Sequence, residues 1–156
     1  MDFEPSEEQQ MLIDQVRRFV REEIIPLEAK LDPDASELEP ADHKRLVEKT
    51  KAMGLVGIDI PKEYGGHGGG VLNLCIVVEE LARACGGVGV LFAVNALGSF
   101  PIMVGGTEEQ KKHWLPKIAS GEKLIAFCLS EQYAGSDAQP LRPPATLAGG
   151  HRVIDG

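Results

Sequence analysis

Apolar residues recur every three or four positions through the first part of the chain, and the spacing then changes. Leu12, Val16, Phe19, Val20 and Ile24 fall on one helical face. Ahead of them, Ser6-Glu7-Glu8-Gln9 has the order of a capping box, with Ser6 closing the first turn and Gln9 reaching back. Pro26 has no N–H to donate, so it is expected to kink or end this helix. "KLDPDASELEP" reads as a loop. A second helix is expected from about Ala41 to Met53, with Leu46, Val47 and Met53 inward and Gly54 as its stop. "LVGIDI" reads as a short extended piece, and the glycine-rich "YGGHGGG" as a loop after it. A third helix, about Val71–Ala84, is apolar almost all round apart from Asn73, Glu79, Glu80 and Arg83, and should be central. A fourth, about Val88–Val104, carries no charge and is expected to bend at Pro101. Thr107-Glu108-Glu109-Gln110 repeats the capping box and opens a helix through Trp114, Leu115 and Ile118, which Gly121 closes. A bundle is the natural way to bury these stripes.

At Lys123 the pattern turns to strands. "KLIAFCLS" has the apolar, aromatic-containing character of one. "LRPPATL" reads as a second, confined to an edge or bulge because Pro143 and Pro144 remove two donors. "HRVIDG" reads as a third, ending in the hairpin dipeptide Asp155-Gly156. The fold expected is therefore mainly α: an all-helical domain over residues 1–121, then the first strands of an incomplete β-domain over 122–156.

Composition narrows the functions. The 156 residues are 43% hydrophobic, enough for a packed core, and the net charge is −8. No basic stripe is present, so nucleic acid and anionic membranes are poor partners. The uncharged run Ala84–Thr107 is long enough to span a bilayer. Its glycines, Asn95, Ser99 and Pro101 favour a buried helix of a soluble protein instead, with no membrane span. Cys75, Cys85 and Cys128 are odd in number and read as buried, reduced thiols of a cytosol-like compartment. The acidic start "MDFEPSEEQQ" has neither a secretory nor a transit pattern. His43, His67, His113 and His151 show no metal-ligand spacing. The glycine loop lacks the Lys and Ser/Thr of a phosphate loop and reads as a mobile or tight turn. Glu79-Glu80, on a helix, reads as solvated or inter-helical rather than as an acid/base pair.

One segment carries candidate chemistry. In "FCLSEQYAGSDA" the Ser130 hydroxyl and N–H sit where a strand ends and suit a planar polar heterocycle. Ala134-Gly135-Ser136 can form a concave nest of N–H groups that takes a phosphate without a cation. Asp137 would hold the turn by accepting from nearby N–H groups. An ordinary Asx-type turn between strands fits the spacing equally well.

That segment resembles the flavin-contacting motif of the acyl-CoA dehydrogenases, aromatic-x-x-Thr/Ser-Glu-Pro-x-Ala-Gly-Ser-Asp. "IPKEYGGHGGG", "VVEELAR", "GGTEEQKKHWLPKIASGEKLIAFCLSE" and "GGHRVIDG" resemble the same family in order, so the likeness runs along the whole chain. The resemblance implies an α+β protein with an N-terminal helical domain, a middle β-barrel and a C-terminal four-helix bundle. It implies bound FAD, usually a homotetramer, and a place in fatty acid metabolism. The reaction implied is α,β-desaturation of an acyl-CoA, with electrons passed to an electron-transferring flavoprotein. Residue by residue, Phe127, Leu129 and Ser130 would line the isoalloxazine, with Ser130 hydrogen-bonded to it. Gly135 and Ser136 would lie by the FAD pyrophosphate, and Ser136 by the pantetheine arm of the substrate. A bacterial cytoplasm, or a mitochondrial matrix, would be its compartment.

Two departures stand inside the motif. Gln132 replaces the usual Pro, and Tyr133 replaces a small residue, which costs roughly 1–2 kcal/mol if that position needs positive φ. Pro143-Pro144 and Asp155 also differ from the common Thr pair and Asn. The family's catalytic glutamate belongs to its C-terminal bundle, so no residue here is assigned as catalytic base, and Glu131 is given a structural role. Two other readings keep these residues: a non-catalytic helical docking or assembly module, and a related acyl-CoA oxidase or flavin monooxygenase.

Overall fold

Ser6 opens the first helix, α1 (Glu7–Phe19), as its sequence requires. The Gln9 N–H donates to Ser6 Oγ (3.2 Å) and the Ser6 N–H donates to Gln9 Oε1 (2.9 Å), completing the capping box. The computed structural model describes residues 4–32, 34 and 38–154. Part of the expected 30–40 loop and the Asp155-Gly156 dipeptide lie outside the described residues. Two compact units are formed, Met1–Ala126 and Phe127–Gly156.

In the first unit, Pro26 does not end the helix. After α1 the backbone widens into a π-turn, Val20–Ile24, and continues as α2 (Ile25–Glu28). The Ile25 N–H donates back to the Val20 carbonyl, one residue further than in an α-helix. The wider turn accommodates a proline that cannot donate. Helix α3 (Pro40–Ala52) begins with proline in its first turn. It is fastened to the π-turn by Glu23, whose carboxylate accepts from both Arg45 and Lys49. These bonds, that from Lys49 foremost, lower the Glu23 pKa below the usual carboxylate range.

The expected extended piece at 55–60 is instead a set of turns. Leu55, Ile58 and Ile60 are buried there. Gly57 has φ +69°, and a Cβ on it would lie 2.6 Å from the Ala119 Cα, so backbone meets backbone at this point. The alternation of "LVGIDI" imitates a strand, but a positive-φ glycine at its centre turns the chain. After a 3-10 turn (Lys62–Tyr64), α4 (Gly70–Ala82) and α5 (Gly86–Gly105) follow, then α6 (Glu108–Ala119) behind the second capping box, Thr107 with Gln110.

Helix α4 lies between α1 and α5 and buries Leu74, Val77, Glu80 and Leu81. Glu80 is an inter-helix group: Arg17 on α1 grips its carboxylate with two bonds of 2.9 Å, and Arg83 stands 3.4 Å away. The hydrogen bond from Arg17, more than the charge of Arg83, holds the Glu80 pKa below the usual range. The main core joins Val16, Phe19, Leu46, Leu55, Leu74, Val77, Leu81 and Ala96, among others. A second cluster gathers Ile60, Leu115, Ile118 and Ala119, with Ile125 packed against it.

Two burial expectations are corrected. Helix α5 is not a buried helix within the described residues. It is long and apolar enough to cross a membrane by length and composition, yet it buries only 22% of its most apolar window. Gly89, Ala96, Gly98 and Ser99 pack inward, while Val90, Leu91, Val94 and Leu97 are exposed. Small residues let its inward face approach closely, and Val88, Phe92, Phe100, Ile102 and Met103 pack partly buried beside them. The thiols are likewise not all buried: Cys75 and Cys128 are exposed, Cys85 is half-buried, and all are free.

The second unit contains one antiparallel hairpin among the described residues. β1 (Ala145–Ala148) pairs with β2 (His151–Ile154) in the register Ala145–Ile154 and Ala148–His151. Gly149 (φ +58°) and Gly150 (φ +83°) make the two-residue turn, both in the left-handed region that such hairpins need. Pro143 and Pro144 stay outside the ladder, just before β1. "KLIAFCLS" belongs to no ladder; residues 124–130 have no assigned secondary structure. Its composition suits a strand, but no described strand lies beside it to complete the pairing.

Candidate functional site

The residues singled out from the sequence lie within one short segment, 127–136, which contains a small turn. The Glu131 N–H donates to the Ala134 carbonyl (2.8 Å), and the Ala134 N–H donates to the Glu131 carbonyl (3.2 Å). Gln132 and Tyr133 form the tip of this turn. Tyr133 has no positive φ, because no residue other than glycine does among the described residues. The conditional strain at Tyr133 is therefore absent. Its ring is covered by the Arg142 guanidinium, 4.2 Å from the ring centroid. Glu131 acts within the turn: its Oε2 accepts the Arg142 N–H (2.9 Å), so one carboxylate ties the turn to the segment leading into β1. Asp137 Oδ1 accepts the Gln139 N–H (3.0 Å), an Asx-type turn.

With these bonds made, the remaining polar groups are uncommitted. Among the described residues, neither the Ser130 hydroxyl nor the Ser136 hydroxyl has a partner, and the N–H groups of Ser130, Gly135 and Ser136 donate to nothing. Ser130, Gly135 and Ser136 are exposed, as are Phe127 (37%) and Leu129 (39%). The only fully buried member is Ala134, at 1%. The segment thus offers neutral O–H and N–H donors beside two apolar side chains, with no cation among them. Such a donor set suits a polar heterocycle or a phosphate held by dipoles.

The glycine loop at 65–70 has the opposite property. Its donors are spent on the chain itself: the His67 N–H on the Gly57 carbonyl (3.1 Å), Gly68 on Ile60 (2.9 Å) and Gly69 on Ile58 (2.7 Å). It is a tight, closed turn. Within the helical unit, Asn95 Oδ1 accepts the Ile125 N–H at 3.3 Å. No group of three or more His, Cys, Asp or Glu side chains that could hold a metal ion occurs among the described residues.

Comparison with known proteins identifies the family of the helical part of the chain. The pattern of the family described as acyl-CoA dehydrogenase, N-terminal domain, matches residues 6–122. A short-chain specific acyl-CoA dehydrogenase of Clostridium acetobutylicum is 40% identical over 157 aligned positions, covering 100% of this chain and 40% of that protein. A chain from the structural study of the electron transferring flavoprotein of Acidaminococcus fermentans superimposes with a TM-score of 0.85 at 36% identity, covering 100% of this chain and 40% of its own. The acyl-CoA dehydrogenase of Bacillus anthracis, solved in complex with FAD, gives 0.80 at 35% identity, covering 98% of this chain and 26% of its own. The chain thus spans about 40% of the length of the curated relatives it matches. On the match over residues 6–122, the chain belongs to the acyl-CoA dehydrogenase family and carries its N-terminal domain.

Proposed function

We propose that this chain is the N-terminal part of an FAD-dependent acyl-CoA dehydrogenase, with a helical domain over 1–121 and the start of a β-barrel domain over 122–156. The observation that carries the reading is the set of uncommitted donors on Ser130, Gly135 and Ser136, beside exposed Phe127 and Leu129. Ser130 would hydrogen-bond the flavin ring, and Phe127 and Leu129 would cover it. Gly135 and Ser136 would hold the pyrophosphate through their N–H groups, with Ser136 also reaching the pantetheine arm of an acyl-CoA. Bound there, the flavin supplies the hydride acceptor for α,β-desaturation. The chain's own donors would stabilise the negative charge of the reduced ring, because fixed dipoles need no reorganisation when charge develops. An electron-transferring flavoprotein is the electron acceptor in this reading. The exposed apolar side chains of α5, and Val71 and Leu72 of α4, leave surface for further domains and for assembly into a homo-oligomer.

The test uses the product of the complete reading frame. It should purify with flavin absorbance that bleaches anaerobically on adding an acyl-CoA from a short- to long-chain panel. Ser130→Ala should weaken flavin binding by roughly fivefold, the worth of about 1 kcal/mol for one hydrogen bond. A colourless protein that no acyl-CoA reduces would refute the proposal.

A further inference from the structure

The geometry points to Arg142 as a positioning residue: held at once by Glu131 and by the Tyr133 ring, it closes a loop over 131–142 and so sets Gly135 and Ser136 relative to Ser130. This rests on the reading of Phe127–Ser136 given above. Every residue involved lies in the second unit, Phe127–Gly156.

Backbone accounting shows why the loop needs closing. Two turns lie along it. The first is closed by the two backbone bonds between Glu131 and Ala134, the second by the Asp137 carboxylate on the Gln139 N–H. Each is local. Between them stand Gly135 and Ser136, whose N–H groups donate to nothing among the described residues. Neither turn therefore sets its angle to the other, and Gly135 adds the freedom of a residue without a Cβ. Donors on such a link would occupy many arrangements, and ordering them on binding costs affinity.

Arg142 supplies the closure at two points. Its N–H donates to Glu131 Oε2 (2.9 Å), across 11 residues of chain. Its guanidinium lies 4.2 Å from the centroid of the Tyr133 ring. The two partners flank Gln132 at the tip of the first turn. The backbone bond fixes where residue 142 returns, and the stack limits how that part of the chain can rotate. Joining the ends of a loop removes many of the arrangements open to it. The stack also gives the bulk at residue 133 a purpose. Tyr133 has no positive φ, so its side chain brings no backbone strain, and its ring, 60% exposed, has the Arg142 cation as its partner. Gln132 lacks the ring that would lock φ at the tip, and the stack beside it supplies stiffness from outside the backbone.

The experiment compares Arg142→Ala, Tyr133→Ala, the two combined, and Tyr133→Phe in the FAD-bound product of the complete reading frame. Arg142→Gln repeats the comparison should Arg142→Ala fail to fold. The readouts are exchange of the residue-142 amide, the dissociation constant for FAD and the visible circular dichroism of the flavin. Tyr133→Ala should speed the exchange and weaken FAD binding, each by roughly two- to fivefold, the worth of an exposed cation–π contact. It should also change the flavin dichroism. Arg142→Ala should do the same, and the combined variant should be no worse than either, because both substitutions remove one contact. Tyr133→Phe keeps the ring and should match the wild type in all three. Additive losses in the combined variant, or wild-type affinity and dichroism in both single alanine variants, would overturn the positioning role and leave the flavin reading intact. A wild-type protein that binds no flavin would overturn both.

Discussion

Gly57 offers a test in which backbone strain and steric overlap separate. Three glycines share nearly the same positive φ but differ in what a Cβ would meet. Gly70 (φ +68°) has nothing within 4 Å. Gly54 (φ +71°) would meet the His67 ring at 3.1 Å, and that side chain can swing away. Gly57 (φ +69°) would press on the Ala119 Cα at 2.6 Å, backbone that carries α6 with it. The φ penalty for an alanine is about 1–2 kcal/mol in each case, and lower unfolded-state entropy returns about 0.4–1 kcal/mol. Gly70→Ala should therefore cost about 0.5–1 kcal/mol. Gly57→Ala adds an overlap of about 1–3 kcal/mol, for a net loss of about 2–4 kcal/mol. Gly54→Ala should fall between. Urea unfolding followed by the fluorescence of Trp114, the one tryptophan and a residue of α6, reads all three. The midpoints should separate at constant slope, and Gly57→Ala should lower the melting temperature by about 10 °C. If Gly57→Ala and Gly70→Ala agree to within about 0.5 kcal/mol, the close approach of the 55–60 turns to α6 is not what fixes Gly57.

Two further outcomes follow from particular bonds. Glu80→Gln should destabilise the helical unit at neutral pH, and the deficit should shrink on acidification. The folded pKa of Glu80 is depressed, so its stabilisation is present above the unfolded value of about 4.3 and is lost as pH falls through the folded one. A wild-type-to-variant gap in denaturant midpoint that stays constant from neutral to strongly acid pH would refute that assignment. Thr107→Ala removes the acceptor for the Gln110 N–H and should cost about 1 kcal/mol; Thr107→Ser, which keeps the oxygen, should restore most of the midpoint.

The helices were readable because their ends and stripes are local. Ser6 with Gln9 and Thr107 with Gln110 announce two N-termini within four residues each, and Val16, Phe19 and Ile24 give the first helix its buried face. The failures occur where the deciding partner is distant in sequence. "LVGIDI" alternates like a strand, and only Ala119 reveals why it turns at Gly57. "KLIAFCLS" has strand composition, but a ladder needs a neighbour, and composition cannot supply one. Helix α5 is apolar on every side, so no period distinguishes its packed face from its exposed one; Gly89, Ala96 and Gly98 pack inward together with Phe92 and Phe100. The Asp155-Gly156 signal lies outside the described residues, and the adjacent glycines 149 and 150, which turn the described hairpin, were not singled out. At the candidate site the donors were legible as residue types. The bonds that leave them uncommitted were not, because Arg142 lies 11 residues beyond Glu131.

The exposed side of α5 also bears on how this chain fails. Val90–Leu97, "VLFAVNAL", is an uncharged, largely apolar stretch without glycine or proline, in which Val90, Phe92 and Val94 favour strands. This is the signature of a segment prone to cross-β stacking. In the native state helical hydrogen bonds occupy the backbone groups that such stacking would need, save the Leu97 carbonyl, which faces Pro101 and its missing N–H. Flanking residues limit the hazard further: Gly89 and Gly98 bound the stretch on either side, and Pro101 interrupts any extension toward α6. The helix is therefore a conformational safeguard as much as a packing element, and losing it would release an apolar stretch able to stack.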